Sequence, residues 1–183
     1  MIQWRSGLKL GGRMICTLDA NALISWIHPK TDALTIARLE LLFENITKSR
    51  GKLIVPTPCL AEAFVHTQEE TSEWVEIMSR KSAFVLAPFD AKAALECALI
   101  ERVAFSQGSK RAGTASKEPY QKIKIDRQIA AISKVHQTDL LVTGDQNLRA
   151  VCKTVGIKTS LVDELEVPVT ALQQTLALNH PKV

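Results

Sequence analysis

"MICTLDANALISWIH", residues 14–28, decides how the rest of the chain reads. Its first half, "MICTLDA", is a short apolar run ending in Asp19, the pattern of a strand buried on both faces. Its second half turns helical and stops at Pro29, which cannot continue a helix. A buried strand feeding a helix is the opening unit of a parallel α/β sheet. The same unit recurs along the chain. "KLIVP" (52–56) reads as a second buried strand, and "TPCLAEAFVHTQEE" (57–70) as its helix, with Thr57 as N-cap and Pro58 at the first position. "AFVLAPF" (83–89) is a third strand, followed by a helix over "DAKAALECALIERVAFSQG" (90–108), capped by Asp90 and stopped by Gly108. "LLVTGD" (140–145) is a fourth strand, leading into a helix from about Gln146 to Val155, and "TSLVDEL" (159–165) supplies a short fifth.

Three helical stretches fill the remaining intervals. "TDALTIARLELLFENITKSRG" (31–51) puts Leu34, Ala37, Leu41, Leu42 and Ile46 on one face, with Gly51 as the stop. "SEWVEIMSRK" (72–81) continues the helical character before the third strand. "KIKIDRQIAAISKV" (122–135) places Ile125, Ile129, Ile132 and Val135 on one face, kept thin by Ala130 and Ala131 so that it packs closely on a flat sheet. The order β-α-β-α-β-α-α-β-α-β, with apolar rather than alternating strands, predicts an α/β domain. Its sheet is mostly parallel, of about five strands, with helices on both faces. The stretch "SQGSKRAGTASKEP" (106–119), rich in Gly, Ser, Ala and Lys, reads as a surface loop. Residues 1–13 read as an N-terminal extension, 14–165 as the domain, and 166–183 as a C-terminal tail or helix.

Composition excludes several classes. The chain has 183 residues, 46% of them hydrophobic, which suits one domain with a sizeable core. No apolar run approaches the roughly 20 residues of a membrane span, and "MIQWRSGLKLGGR" lacks the apolar centre of a signal peptide. Cys16, Cys59, Cys97 and Cys152 are dispersed and form no C-x-x-C pair, which points to reduced, buried thiols, a cytoplasmic location and no zinc site. The formal net charge of +4 permits a polyanionic partner without demanding one. Aromatic residues make up only 5%, too few for a module that binds nucleic acid by stacked rings, so Trp26 and Trp74 read as core.

In an open parallel sheet, ligands bind beyond the carboxyl ends of the strands. Asp19 ends the first strand, and Asp145 ends the fourth with Thr143 and Gly144 beside it. Glu62 lies in the first turns of the helix after the second strand, and Asp126 opens the late helix. Each has a structural alternative: Asp19 a helix cap, Glu62 a solvated helix residue, Asp145 a turn residue or cap, and Asp126 a first-turn carboxylate on the helix dipole. Four such placements on one edge make a cluster whose mutual repulsion needs a neutralising partner. Hard divalent cations, Mg2+ or Mn2+, bind oxygen-only sets of this kind.

"CTLDAN" on the first strand, "LAEAF" on the following helix, "KIDRQIAAIS" in the late helix and "LLVTGDQNL" at the fourth strand resemble, in order, the motifs of the PIN-domain ribonucleases. The likeness is greatest to the bacterial VapC-like toxins and spans roughly Met14 to Leu165. It implies a single PIN-like three-layer domain. It also implies a metal-dependent endoribonuclease that hydrolyses RNA phosphodiester bonds by metal-activated water, the toxin of a toxin–antitoxin pair held silent by an antitoxin partner. By resemblance, Asp19, Glu62, Asp126 and Asp145 are the catalytic, metal-binding acids, with Asn21 and Thr143 as supporting polar residues. A homodimer is a further expected assembly. Lys110, Arg111, Lys117, Lys122 and Lys124, clustered in or after the 106–119 loop, are candidate RNA-binding residues, with an ordinary solvated loop as the alternative. The loop is longer than a compact toxin of this type needs, and the N-terminal extension is atypical. Two other functions remain open at this point: a catalytically silent RNA- or protein-binding module on the same fold, and a haloacid-dehalogenase-like phosphatase. The latter needs a second Asp two positions after Asp19, where this chain has Asn21.

Overall fold

The computed structural model describes residues 12–65, 71–111 and 119–169. Most of the N-terminal extension, Lys117 and nearly all of the C-terminal tail lie outside the described residues. The elements are β1 (Ile15–Leu18), α1 (Ala20–Ile27), α2 (Ala33–Lys48), β2 (Lys52–Pro56), α3 (Thr57–Val65), α4 (Thr71–Arg80) and β3 (Phe84–Ala87). They continue with α5 (Ala91–Ser106), α6 (Tyr120–Val135), β4 (Leu140–Val142), α7 (Gln146–Thr154) and β5 (Lys158–Ser160), then a 3-10 turn at Val162–Glu164.

The strands form one sheet in the order β3-β2-β1-β4-β5, and every neighbouring pair is parallel. Side chains alternate between its two faces, as strand geometry requires. Leu53, Val55, Leu140 and Val142 enter one core with Leu23 of α1 and Leu39, Leu42 and Ile46 of α2. Leu141 enters the opposite core with Ile129, Ala130 and Ala131 of α6 and Leu148 and Val151 of α7. Ile54 points the same way, onto Ile132 of α6 and Ala93 of α5. Both faces are covered, so the expected three-layer α/β architecture is the one observed. The thin Ala130–Ala131 surface is fully buried.

Two helix faces differ from the sequence expectation. On α2 the buried stripe is Leu39, Leu42, Phe43 and Ile46, while Leu34 is exposed and Ala37 and Leu41 are half-buried. The face carrying Phe43 takes the interior because that ring joins Trp26, Trp74 and Phe84 in an aromatic cluster with centroids 5.1–5.6 Å apart. On α6, Ile125 is exposed and Ile123 is fully buried instead. That helix starts at Tyr120, behind Pro119, whose φ of −57° is already suited to a helix start. Asp126 therefore lies in the second turn, beyond the unpaired N–H groups of the first. The first-turn capping role is excluded by that placement. Thr57 is likewise the first helical residue of α3 rather than its cap.

Gly51 stops α2 for a reason other than a left-handed backbone. The left-handed residue is Arg50, at φ 54°. Gly51 lies against the residue that precedes β1: a Cβ there would lie 2.0 Å from the Met14 carbonyl oxygen and 3.1 Å from that of Ile46. Both neighbours are backbone and cannot rotate away. Gly51→Ala is expected to destabilise the fold by about 2–3 kcal/mol, at the upper end for overpacking. Chemical denaturation of the two proteins checks this, with an unchanged midpoint as the contrary result.

Candidate functional site

The strand order reverses between β1 and β4: the chain fills one side of β1 with β2 and β3, then crosses to the other with β4 and β5. A crevice opens at the carboxyl ends of the strands at such a reversal. Asp19 follows β1 directly, and its N–H donates to the Val142 carbonyl of β4 (3.1 Å). Its Oδ1 accepts from the Ala20 N–H at 2.7 Å, which caps α1, and its Oδ2 accepts from the Thr143 hydroxyl at 2.6 Å. Thr143 Oγ1 in turn accepts from the Asp145 N–H at 2.9 Å. Asp145 caps α7, with Oδ1 accepting from the N–H groups of Asn147 (2.7 Å) and Leu148 (3.0 Å). The capping alternatives for Asp19 and Asp145 are thus real, and they coexist with a place in the crevice.

Asp126 reaches the same place from α6, and Glu62 from α3. Asp19, Asn21, Glu62, Asp126 and Asp145, together with Lys122 and Ile129, line one cleft of about 310 Å3. Asp19 and Asp126 are each only 5% exposed, whereas Glu62 is exposed at the rim. Asn21 is an exposed wall residue, and Thr143 is fully buried as the tie between the two aspartates. The sequence-predicted quartet is therefore brought together.

The two capping aspartates have opposite electrostatics. Burial dominates at Asp19 and raises its pKa, aided by the Asp145 charge and opposed by the hydrogen bonds from Thr143 and Ala20. At Asp145 burial also pushes upward, but the Lys122 ammonium and the two backbone N–H groups outweigh it and hold the pKa below the usual value. The Lys122 Nζ lies 2.7 Å from Asp145 Oδ2. Cys59 donates its thiol to Asp19 Oδ1 at 3.6 Å, and burial followed by the Asp19 charge pushes its pKa far up. Cys152 is pushed to about 12, first by burial and then by Asp19 and Asp126. Both thiols stay neutral, so the ionisable donors available to a cation are carboxylate oxygens. That chemistry fits a hard divalent ion. Among the described residues, however, no group of three or more His, Cys, Asp or Glu side chains stands gathered to hold a metal ion. On Asp145 the place opposite the carboxylate is taken by the Lys122 ammonium.

The sequence points Lys122 to RNA alone and gives no direct sign of its pairing with Asp145. The available signal is its position four residues before Asp126 on one helix, a spacing that puts both on the same face. Cys59, inside the "CLAEAF" stretch, carried no signal beyond its small size. Of the other basic candidates, Lys124 lies over the Tyr120 ring at 5.0 Å and Lys110 at 5.9 Å. Arg111 is half-buried next to them. Buried Arg127 of α6 donates to the Lys110 carbonyl (2.8 Å) and pairs with Glu101 of α5 (2.5 Å).

No protein-family model matches this chain, and no curated protein matches it. Solved structures do. A chain in the structure of VapBC2 from Rickettsia felis, bound to a DNA fragment from its promoter, aligns with a TM-score of 0.54 at 16% identity, covering 81% of this chain and 98% of that one. A chain in the DNA-bound VapBC structure from Salmonella typhimurium aligns with a TM-score of 0.52 at 18% identity, with the same coverage. At these identities the likeness is one of fold, and it agrees with the PIN-like three-layer α/β fold implied by the sequence motifs.

Asp19 and Asp145 should respond oppositely to pH and substitution when divalent ions are chelated. The raised Asp19 pKa means that its charged form disfavours the fold, so its contribution to stability falls as pH rises from the ordinary carboxylate range through the raised value. The lowered Asp145 pKa means that its charge favours the fold, a contribution present above the ordinary value and lost as pH falls through the lowered one. In EDTA, Asp19→Asn is expected to gain in thermal midpoint relative to wild type as pH rises toward neutral, because it lacks the disfavoured charge. Asn keeps an acceptor for Ala20 but loses the oxygen that accepts from Thr143, so the sign is read from the pH trend. Asp145→Ala, which removes the cap and the ion pair, is expected to cost about 1–2 kcal/mol, or about 2–8 °C. Scanning calorimetry of both variants across that pH range reads the two signs, and trends of equal sign would contradict the assignment.

Proposed function

We propose that this chain is a metal-dependent endoribonuclease and the toxin of a toxin–antitoxin pair. The observation that carries this reading is the convergence of Asp19, Glu62, Asp126 and Asp145 on one cleft at the strand reversal. Asp19, Asp126 and Asp145 would hold Mg2+ or Mn2+, with Glu62 at the rim as a further ligand or as the group that orients the attacking water. A divalent cation bound there activates water and offsets charge on the phosphoryl oxygens. The protein contributes fixed carboxylates: the caps on Asp19 and Asp145 set their orientation, and the Thr143 hydroxyl holds them in register. Asn21, which lines the cleft, would serve as a supporting polar residue beside the acids.

Lys110, Arg111, Lys117, Lys122 and Lys124 would attract the RNA. An antitoxin partner is supported by the VapBC assemblies that share the fold. A homodimer is supported by the exposed apolar stripe of Leu95, Leu99 and Val103 at four-residue spacing on α5. A cytoplasmic site of action accords with the four free cysteines. The silent-module reading is disfavoured because no acid of the quartet has been replaced. The phosphatase reading is disfavoured by Asn21, which lacks the carboxylate that chemistry needs.

The deciding experiment is cleavage of RNA by the purified chain with millimolar Mn2+ or with EDTA, alongside Asp126→Asn. The variant is expected to lose at least about a hundredfold in rate. It should also show a smaller Mn2+-induced rise in thermal midpoint, because an ion that binds only the native state stabilises it by mass action. Normal cleavage with a wild-type metal shift would overturn the assignment of Asp126. Neutralising Lys110, Arg111 and Lys117 together is expected to flatten the salt dependence of RNA binding by roughly 0.7 in log–log slope per lost phosphate contact. Filter binding at several salt concentrations measures that slope, and no change would make the loop merely solvated.

A further inference from the structure

Lys122 is placed differently from the other basic residues near the cleft. It sits on α6 one turn before Asp126, and its ammonium lies 2.7 Å from Asp145 Oδ2, inside the acidic cleft rather than on its approaches. The Asp145 oxygens divide their work. Oδ1 takes both capping N–H groups, and Oδ2 takes Lys122. Oδ2 is therefore the Asp145 oxygen left for a cation in the cleft, and the Lys122 ammonium already lies against it. The Lys122 side chain is 43% exposed and the Asp145 side chain 17%, so the pair has one dry and one wet partner and a flexible stem that can swing out.

We infer that Lys122 is a built-in competitor for the metal: its ammonium and a divalent cation contend for the same carboxylate oxygen of Asp145. This rests on the metal-dependent reading of the cleft. Two cations cannot both sit against Oδ2 without repulsion, so the ion that enters must displace the ammonium. The gathering of carboxylates is coupled to that exchange. While Lys122 is engaged, Asp145 is satisfied, and no three acids among the described residues are assembled around a common point. The device keeps four carboxylates tolerable in one cleft and lowers affinity for the ion until it is abundant. It also leaves a mobile ammonium at the cleft mouth once the ion is bound, where a phosphate oxygen of RNA is its natural next partner.

The competition gives two signs that a merely structural ion pair would not. Removing the ammonium takes away Asp145's partner, so Lys122→Met and Lys122→Gln should both have lower thermal midpoints than wild type in EDTA. The same variants should bind Mn2+ more tightly, by roughly three- to tenfold, the range for a partly screened ion pair. Lys122→Arg keeps the charge and should stay near wild-type affinity. Lys124→Met removes a charge two residues along, over the Tyr120 ring and off the carboxylates, and should change affinity less than about twofold, which separates specific competition from a general change in potential. Calorimetric titration of MnCl2 into each protein, without RNA, measures all four. Tighter binding in both neutral variants with little change in Lys124→Met supports the inference. Wild-type binding that Lys122→Met and Lys122→Gln leave unaltered overturns it and leaves the metal site standing. An equal gain in Lys124→Met also overturns it. Absence of Mn2+ binding in every variant overturns both the inference and the metal-dependent reading.

Discussion

The Thr143 hydroxyl is the small group on which the arrangement of the site depends. It donates to Asp19 Oδ2 and accepts from the Asp145 N–H, so one side chain ties the end of β1 to the turn after β4. It is fully buried, in a place where an unmet donor or acceptor costs about 1–3 kcal/mol. Two strands that are distant in sequence and adjacent in the sheet thereby deliver two carboxylates in fixed relation. The parallel sheet supplies the adjacency, the strand reversal supplies the crevice, and the hydroxyl sets the register between the acids.

Crowding negative charge there has a cost, and the fold meets it differently at each position. Asp19 is buried and relies on hydrogen bonds from Ala20, Thr143 and the Cys59 thiol. Asp145 has a true counter-charge in Lys122. Glu62 stays at the wet rim, where screening limits its repulsion. Nearby, α6 is held to α5 by the buried Arg127–Glu101 pair and by Lys134–Glu96 at 2.7 Å. Those pairs position the helix that carries both Asp126 and Lys122. Removing Glu101 would take the carboxylate from the buried Arg127 guanidinium.

Much of this was legible in the sequence because it depends on local chemistry. A strand that ends in Asp before a helix start declares a cap, and both Asp19 and Asp145 obey that rule. Asp90 does the same for α5, accepting from the Ala93 N–H at 2.9 Å. The strands read correctly because a sheet covered on both faces demands continuous apolar runs. What escaped depends on tertiary choices. The buried face of α2 is chosen by where Phe43 meets Trp26 and Phe84, and no periodicity within the helix reveals that partner. The start of α6 is set by Pro119, whose effect is masked by the loop composition around it, and Asp126 therefore lies a turn further into the helix than the apolar periodicity suggests. The Lys122–Asp145 contact joins residues far apart in sequence, and only the sheet order makes them neighbours.

The capping role of an acid and its proposed ligand role are usually weighed as rivals, and in this cleft the geometry makes them complementary. A carboxylate has about four lone-pair sites on its two oxygens. Asp145 spends Oδ1 on the backbone of α7, which fixes the plane and direction of the group, and turns Oδ2 toward a cation. Asp19 is fixed in the same way by Ala20 and Thr143. A side chain oriented by backbone donors loses little further rotamer freedom when it takes up a charge, so affinity is set by electrostatics rather than by ordering. Asp126 has no such duty at its helix start, since Pro119 begins α6 without a side-chain cap. Its carboxylate is held in the cleft by a mid-helix position among buried apolar neighbours, Ile123 and Ile129. That position adds nothing to the start of the helix, so what the Asp126 carboxylate contributes lies in the cleft and not in the backbone of α6.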